Sequence, residues 1–293
     1  MMANSDYTLI DSKTGNLALK IYSIKKDNPF NEVQRLSYYS LIWIKKGGGI
    51  AKSDFAEHGF GENTLFSFSP YQPFTLDAPD LEAEVIHFHP DFFCIHKHQK
   101  EVACDGVLFN NIYNPPMVKI DMDSIVKLGM VVDQMRGEMQ QPELAQYELL
   151  VSYLKIFLIT ASRLKNEQRE EIEGKVNQNE EPFVLQKLKD YINQHYKTKH
   201  SASDYADMLT ISPKALAKLT KSYFNKTLTD LISERIIIEA KRELYLTDKT
   251  VKEIAYELGY DDEYYFSRFF KKKAEVSPLI YRKNVGFAKA TMA

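Results

Sequence analysis

With only two cysteines and one tryptophan in 293 residues, and no apolar run longer than four, several designs are excluded at once. With Cys94 and Cys104 alone, a reduced compartment with free thiols is expected, and a single disulfide is the alternative that nothing else in the sequence supports. The stretch Ile156-Phe157-Leu158-Ile159 is closely flanked by Lys155 and Arg163. Nothing approaches the roughly 20 apolar residues that cross a bilayer. The N-terminus has no basic-then-apolar pattern, so the expectation is a cytoplasmic protein with no membrane partner. There is no phosphate-cradling glycine loop, no Gly-x-Ser-x-Gly and no His-Glu-x-x-His. The reading is therefore a non-enzyme without a cofactor.

A strong net charge is missing too, but the formal value of −2 conceals an asymmetry. Residues 182–293 hold 20 Lys and Arg against 14 Asp and Glu, whereas residues 1–181 hold 18 against 26. A basic C-terminal part beside an acidic N-terminal one fits a DNA-facing domain joined to a partner domain. A merely solvated surface is the alternative.

Residues 7 to about 110 read as β-rich. The short runs Leu17–Tyr22, Tyr38–Ile44, Thr64–Phe68 and Val85–Phe88 are separated by glycine and proline punctuation. They predict a sandwich or small barrel, with Gly47-Gly48-Gly49 as a tight hairpin. Tyr38, Trp43, Phe66, Phe68 and His87 are candidates to line its interior, or simply to fill it.

From Asp121 the period changes to that of helices, 121–139 and 143–164, broken at Gln141-Pro142. In the second, Leu144, Tyr147, Val151, Leu154, Leu158 and Ala161 recur at 3-4-3-4-3 spacing. That is a two-helix seam and reads as homodimerisation, with packing on the chain's own β domain as the alternative. The charged stretch 165–181 reads as a linker with a helical start. The domains are thus 1–164, a linker at 165–181, and 182–293.

Histidines invite a metal reading. His87-Phe88-His89 sets two imidazoles on one strand face, and Cys94, His96 and His98 lie close in sequence. Ordinary strand or loop histidines are the simpler reading, so no metal is assigned.

The last hundred residues state one pattern twice. Ser201 and Thr250 are good N-caps, with Asp204 and Glu253 three positions on, as in a capping box. Ala206 matches Ala255 and Leu209 matches Leu258; after the turn, Leu216 matches Phe266 and Lys218 matches Arg268. Gly259 suits a left-handed turn; Thr210 stands in its place in the first copy, so a different turn is expected there. A long helix from Leu228 to about Leu246 joins the copies. Two helix-turn-helix units held by one rigid helix suit successive major grooves, about 34 Å apart.

Arg235-Ile236-Ile237-Ile238-Glu239-Ala240-Lys241-Arg242-Glu243-Leu244 resembles the linker-helix signature of the arabinose-regulator (AraC/XylS) family of bacterial transcription factors. The stretches Val251–Tyr260, Tyr265–Lys272 and Ser277–Arg282 resemble that family's second unit and closing segment, so the resemblance covers about 183–285. Where the family usually has glycine after each recognition helix, this chain has Asn225 and Glu275. The β-rich part with its two trailing helices, and stretches such as Leu65–Pro70, resemble the family's cupin-like sensor and dimerisation domain.

The resemblance implies a two-domain α+β protein: a β-barrel with two helices, then an all-α domain with two helix-turn-helix units. It implies a sequence-specific regulator whose partner is double-stranded DNA. A homodimer is expected; a small-molecule effector and RNA polymerase are left open as further partners. Carried over by position, the base-facing residues are Lys214, Ala217 and Lys218, then Glu263, Tyr264, Ser267 and Arg268. Lys221, Lys271 and Lys272 are assigned to phosphates. A cupin-type metalloenzyme fused to a DNA-binding module is the alternative.

Overall fold

Alternation of side chains along the strands builds the N-terminal architecture. The computed structural model describes residues 6–12, 14–53, 56–102, 106–141, 143–175 and 183–285. They form two compact units: Met1–Asn111 with Pro115–Glu170, and Ile112–Asn114 with Glu171–Ala293. Cys104 and the linker's 176–181 lie outside the described residues.

The first unit contains β1 (Tyr7–Ile10), β2 (Leu17–Lys26), β3 (Tyr39–Lys46), β4 (Gly49–Ser53), β5 (Ala56–Phe60), β6 (Thr64–Phe68), β7 (Phe74–Asp77) and β8 (Leu81–Phe88). After a short helix α1 (Gln99–Val102) come β9 (Met117–Lys119), α2 (Met122–Gln140) and α3 (Gln146–Lys175). Six strands pair in the order β1-β2-β8-β3-β6-β9, and three in the order β5-β4-β7. Every pairing is antiparallel.

The large sheet is buried on both faces, so its central strands are near-continuously apolar. One face, with Ile24, Ile42, Phe66, Phe68 and Val85, meets Ala51, Phe74 and Leu76 of the small sheet. Phe68 and Phe74 stack at 3.8 Å between ring centroids. The other face, with Leu41, Trp43, Leu65, Ile86 and Phe88, is covered by α2 and α3. Trp43 therefore does not line the interior between the sheets.

The expected hairpin at Gly47–Gly49 is not one: β3 and β4 belong to different sheets. The glycines form the corner where the chain crosses between sheets. A Cβ on Gly47 would stand 2.2 Å from Asp80 O, and one on Gly49 would stand 1.9 Å from Asp77 O. Close backbone approach, rather than hairpin geometry, requires glycine there.

Asp121 caps α2 by accepting from the Ser124 amide at 2.8 Å. Arg136 on α2 reaches Glu84 of β8 at 2.5 Å and fixes the helix on the sheet. In α3, Leu154, Leu158 and Ala161 are fully buried in the same core. Val151 packs against that core, and the Tyr147 hydroxyl donates to Phe92 O at 2.9 Å. Leu144 precedes the helix and is exposed. From Val151 to Ala161 the stripe is thus spent on the chain's own core, while Leu144 and Tyr147 stay exposed: 3.6-residue periodicity marks a buried face without naming what buries it.

The helix also outruns its apolar stripe, to Lys175, so the first part of the expected linker is helical. The contacts that extend it are polar. Buried Lys165 donates to Pro115 O at 2.9 Å. Gln168 accepts from Lys119 N at 3.1 Å and donates to Lys119 O.

The second unit is helical: α4 (Phe183–His195), α5 (Ala202–Met208), α6 (Pro213–Phe224), α7 (Leu228–Leu246), α8 (Val251–Glu257), α9 (Glu263–Ala274) and α10 (Pro278–Val285). The joining helix α7 buries more than one side. Besides Ile232, Ile236, Ala240 and Leu244, its residues Leu231, Ile237 and Tyr245 are buried. Residues from both copies surround it, which suits a strut.

Candidate nucleic-acid interface

Each copy starts with a capping box. Ser201 accepts from Asp204 N at 3.2 Å while Asp204 accepts from Ser201 N at 3.3 Å. Thr250 and Glu253 repeat the exchange at 3.2 and 2.7 Å. Such boxes satisfy amides otherwise left unpaired at a helix start. Ala206 and Ala255 are fully buried where the second helix of each unit crosses.

The two turns use the same geometry, contrary to the expectation from Thr210. Thr210 has φ +56° and Gly259 φ +80°. Thr210 N donates to Asp207 O and Ile211 N to Ala206 O; Gly259 N donates to Tyr256 O and Tyr260 N to Ala255 O. Threonine thus sits in the left-handed region, where a β-branched residue is strained. What distinguishes the copies is space. A Cβ on Gly259 would lie 2.0 Å from Lys197 O.

The recognition helices leave in the same way. Ser212 caps α6 by accepting from Ala215 N at 3.2 Å, and Asp262 caps α9 by accepting from Tyr265 N. Leu216 and Thr220 of α6, and Phe266 and Phe270 of α9, turn inward and are buried. Asn225 (φ +53°) and Glu275 (φ +60°) both adopt the left-handed exit that the family's glycine would supply. The duplication then continues one helix further than its sequence pattern suggested. Thr227 accepts from Asp230 N at 3.1 Å at the start of α7, and Ser277 accepts from Ile280 N at 3.2 Å at the start of α10.

With one side of each recognition helix buried, the other is presented outward. Lys214, Ala217, Lys218 and Lys221 are exposed on α6. On α9, Tyr264, Arg268, Lys271 and Lys272 are exposed, while Glu263 and Ser267 are half-buried. Tyr264 is 68% exposed, so it is not core. Lys221 donates to Asn225 O at 3.2 Å, at the end of its own helix.

Three further features hold these helices. Arg282 on α10 donates to Leu244 O at 2.9 Å, Lys249 O at 2.6 Å and Thr247 O at 3.5 Å, clamping the end of α7. Lys273 on α9 pairs with Asp230 on α7 at 3.2 Å. Glu239 lies buried between Arg235 at 3.2 Å and Arg242 at 2.8 Å. Burial would raise its pKa, but the two guanidinium charges outweigh that and hold the carboxyl below its usual range. Arg235 also sits 4.1 Å over the ring of Tyr196, the residue that follows α4.

In the first unit, His87 is buried between the sheets with Tyr22 OH at 3.1 Å and Ser40 Oγ at 2.9 Å on its two ring nitrogens. The Tyr38 ring lies 4.7 Å away. Burial pushes the imidazole down to about 3. His89 follows the strand and accepts from Asp91 N at 3.2 Å. Among the described residues no group of three His, Cys, Asp or Glu side chains is arranged to hold a metal ion. Nor is any helix among them long and apolar enough to cross a membrane.

The class defined by this geometry is a tandem helix-turn-helix protein. Residues 205–284 match the family model described as "Helix-turn-helix domain". This unit is a helix-turn-helix domain of the AraC type. It is 36% identical over 253 residues to the HTH-type transcriptional activator Btr of Bacillus subtilis, covering 84% of this chain and 44% of Btr. It is 31% identical over 96 residues to the raffinose operon transcriptional regulatory protein RafR of Pediococcus pentosaceus, covering 33% of this chain and 35% of RafR. The C-terminal domain of AraT, a response regulator from Geobacillus stearothermophilus, aligns at 27% identity over 38% of this chain and 91% of that one, with a TM-score of 0.35. The chain therefore spans less than half the length of the first curated relatives it matches.

Proposed function

We propose that this chain is a sequence-specific, DNA-binding transcription regulator that acts in the cytoplasm. The observation that carries the reading is the outward, cation-bearing side of α6 and α9, each set by a capped partner helix and joined through α7. Lys214, Ala217 and Lys218 face bases in one major-groove segment; Glu263, Tyr264, Ser267 and Arg268 face bases in the next. Lys221, Lys271 and Lys272 contact phosphates, which set affinity and salt dependence. Arg268→Ala should lose about 1–3 kcal/mol of discrimination at one or two base pairs, whereas Lys272→Ala should weaken specific and random DNA alike. Equal losses on both DNAs for Arg268→Ala would contradict the assignment.

The N-terminal unit dimerises and takes a small effector in this proposal. Tyr22, Tyr38, Ser40 and His87 form the polar end of an otherwise apolar interior, where hydrogen-bonding groups of such an effector would be read. Since Val151, Leu154, Leu158 and Ala161 of the α3 stripe are spent on the core, the dimer surface is assigned to α2, whose outer side carries exposed Met122, Val126 and Met130. Pairing two copies antiparallel about Val126 sets Met122 against Met130 of the second copy.

A further inference from the structure

The two recognition helices are duplicates in backbone but not in chemistry. Equivalent positions pair Pro213 with Glu263, Lys214 with Tyr264, Ala217 with Ser267 and Lys218 with Arg268. From Ile211 to Phe224 there are three lysines and no acidic residue. From Asp261 to Ala274 there are three acidic residues, Asp261, Asp262 and Glu263, ahead of Arg268, Lys271, Lys272 and Lys273. One of those cations, Lys273, is already paired with Asp230.

Resting on the proposed DNA-binding reading, we infer that the two heads divide the work: α6 is an electrostatic anchor and α9 discriminates sequence, with Glu263 rejecting wrong bases. The four α6 positions equivalent to the base-facing ones of α9 offer two flexible point charges, a methyl and a proline ring. Lysine contacts phosphates and guanines with little geometric demand. The same positions of α9 offer a carboxylate, a phenol, a hydroxyl and a guanidinium fork. Arg268 matches guanine O6 and N7 with two fixed donors, and Glu263 accepts from a cytosine amino group. The carboxylate matters most through what it forbids. Brought among phosphates and opposite a base with no donor, it is desolvated, repelled and unpaired, a penalty α6 does not carry. Glu263 lies in the first turn of α9, the part of a recognition helix that approaches base edges.

The test is selection of the full chain on duplexes with a randomised 25-base-pair core, followed by salt titration of the enriched sites. One block of strong base preference should emerge, with a weakly preferred block one helical turn away. The double variant Lys214→Ala/Lys218→Ala should enrich the same strong block while its log–log salt slope falls by about two. Glu263→Gln should bind random duplex more tightly than the parent and lower the specific-to-random ratio about tenfold. Lys214 and Lys218 are exposed, and Glu263 is half-buried but exchanged for an amide of the same shape, so the variants keep the fold, which circular dichroism checks. Two equally strong blocks, or loss of one block in the lysine double variant, overturns the division of labour while leaving DNA binding intact. Enrichment of no sequence at all overturns the DNA-binding reading and this inference with it.

Discussion

Gly259 and Thr210 occupy equivalent turns with the same hydrogen bonds and nearly the same φ, so replacing each by alanine isolates a single difference. In both variants alanine must adopt the left-handed conformation, at about 1–2 kcal/mol. At 210 it replaces a β-branched residue already held there, so the change should stay within about 1 kcal/mol. At 259 the new Cβ would stand 2.0 Å from Lys197 O and 3.2 Å from His200 Cε1. The nearer atom is backbone and cannot swing aside. Forcing the segments apart costs about 1–3 kcal/mol in addition, partly offset by the lower chain entropy of alanine when unfolded. The net loss at 259 should be about 2–4 kcal/mol. Amide exchange in α8 and α9 of the full chain, under native conditions, reads this as a free energy of opening. Equal losses at the two sites, or tolerance of alanine at 259, would refute the argument that close approach rather than φ demands glycine.

Other outcomes follow from the same geometry. Arg282→Ala removes the donor shared by Leu244 O, Thr247 O and Lys249 O and should lower protection in α7 and α8 by about 2–3 kcal/mol, with α5 little changed. His87 has its folded pKa pushed down to about 3 from 6.5, so the unfolded chain binds the extra proton between those values. Stability of the N-terminal unit should therefore fall as pH drops below about 6.5, by up to about 1.4 kcal/mol per unit. Urea titrations at pH 7, 5.5 and 4.5 should show this slope lessened in His87→Gln; unchanged slopes would refute it. Val126→Asp places two like charges at the centre of the proposed α2 pairing and should shift sedimentation toward monomer, while Leu149→Asp on α3 should not.

What the sequence made legible was what is local. Capping boxes, the left-handed turn at Gly259 and the inward Leu216 and Phe266 are written within a few residues, and the duplication doubles each signal. Direction was not local. The α3 stripe showed period without partner, so Leu154, Leu158 and Ala161 read as a seam until the β sheet beneath them was seen. The glycines at 47–49 read as a hairpin because their requirement comes from Asp77 and Asp80, some thirty residues on. Trp43 and His87 lie on adjacent strands of one sheet but face opposite ways, which only the strand register separates. Arg282 and Lys273 act on carbonyls and a carboxylate of α7, contacts that no spacing rule announces.

In the proposed function, α6 and α9 enter adjacent turns of one duplex from the same side. Hydroxyl-radical footprinting of the full chain on a selected site tests this without depending on base preference. Two protected backbone segments about 10–10.5 base pairs apart on one face are expected, with loss of one segment when five base pairs are inserted between them. A single protected segment, or two whose joint protection survives that insertion, would contradict it.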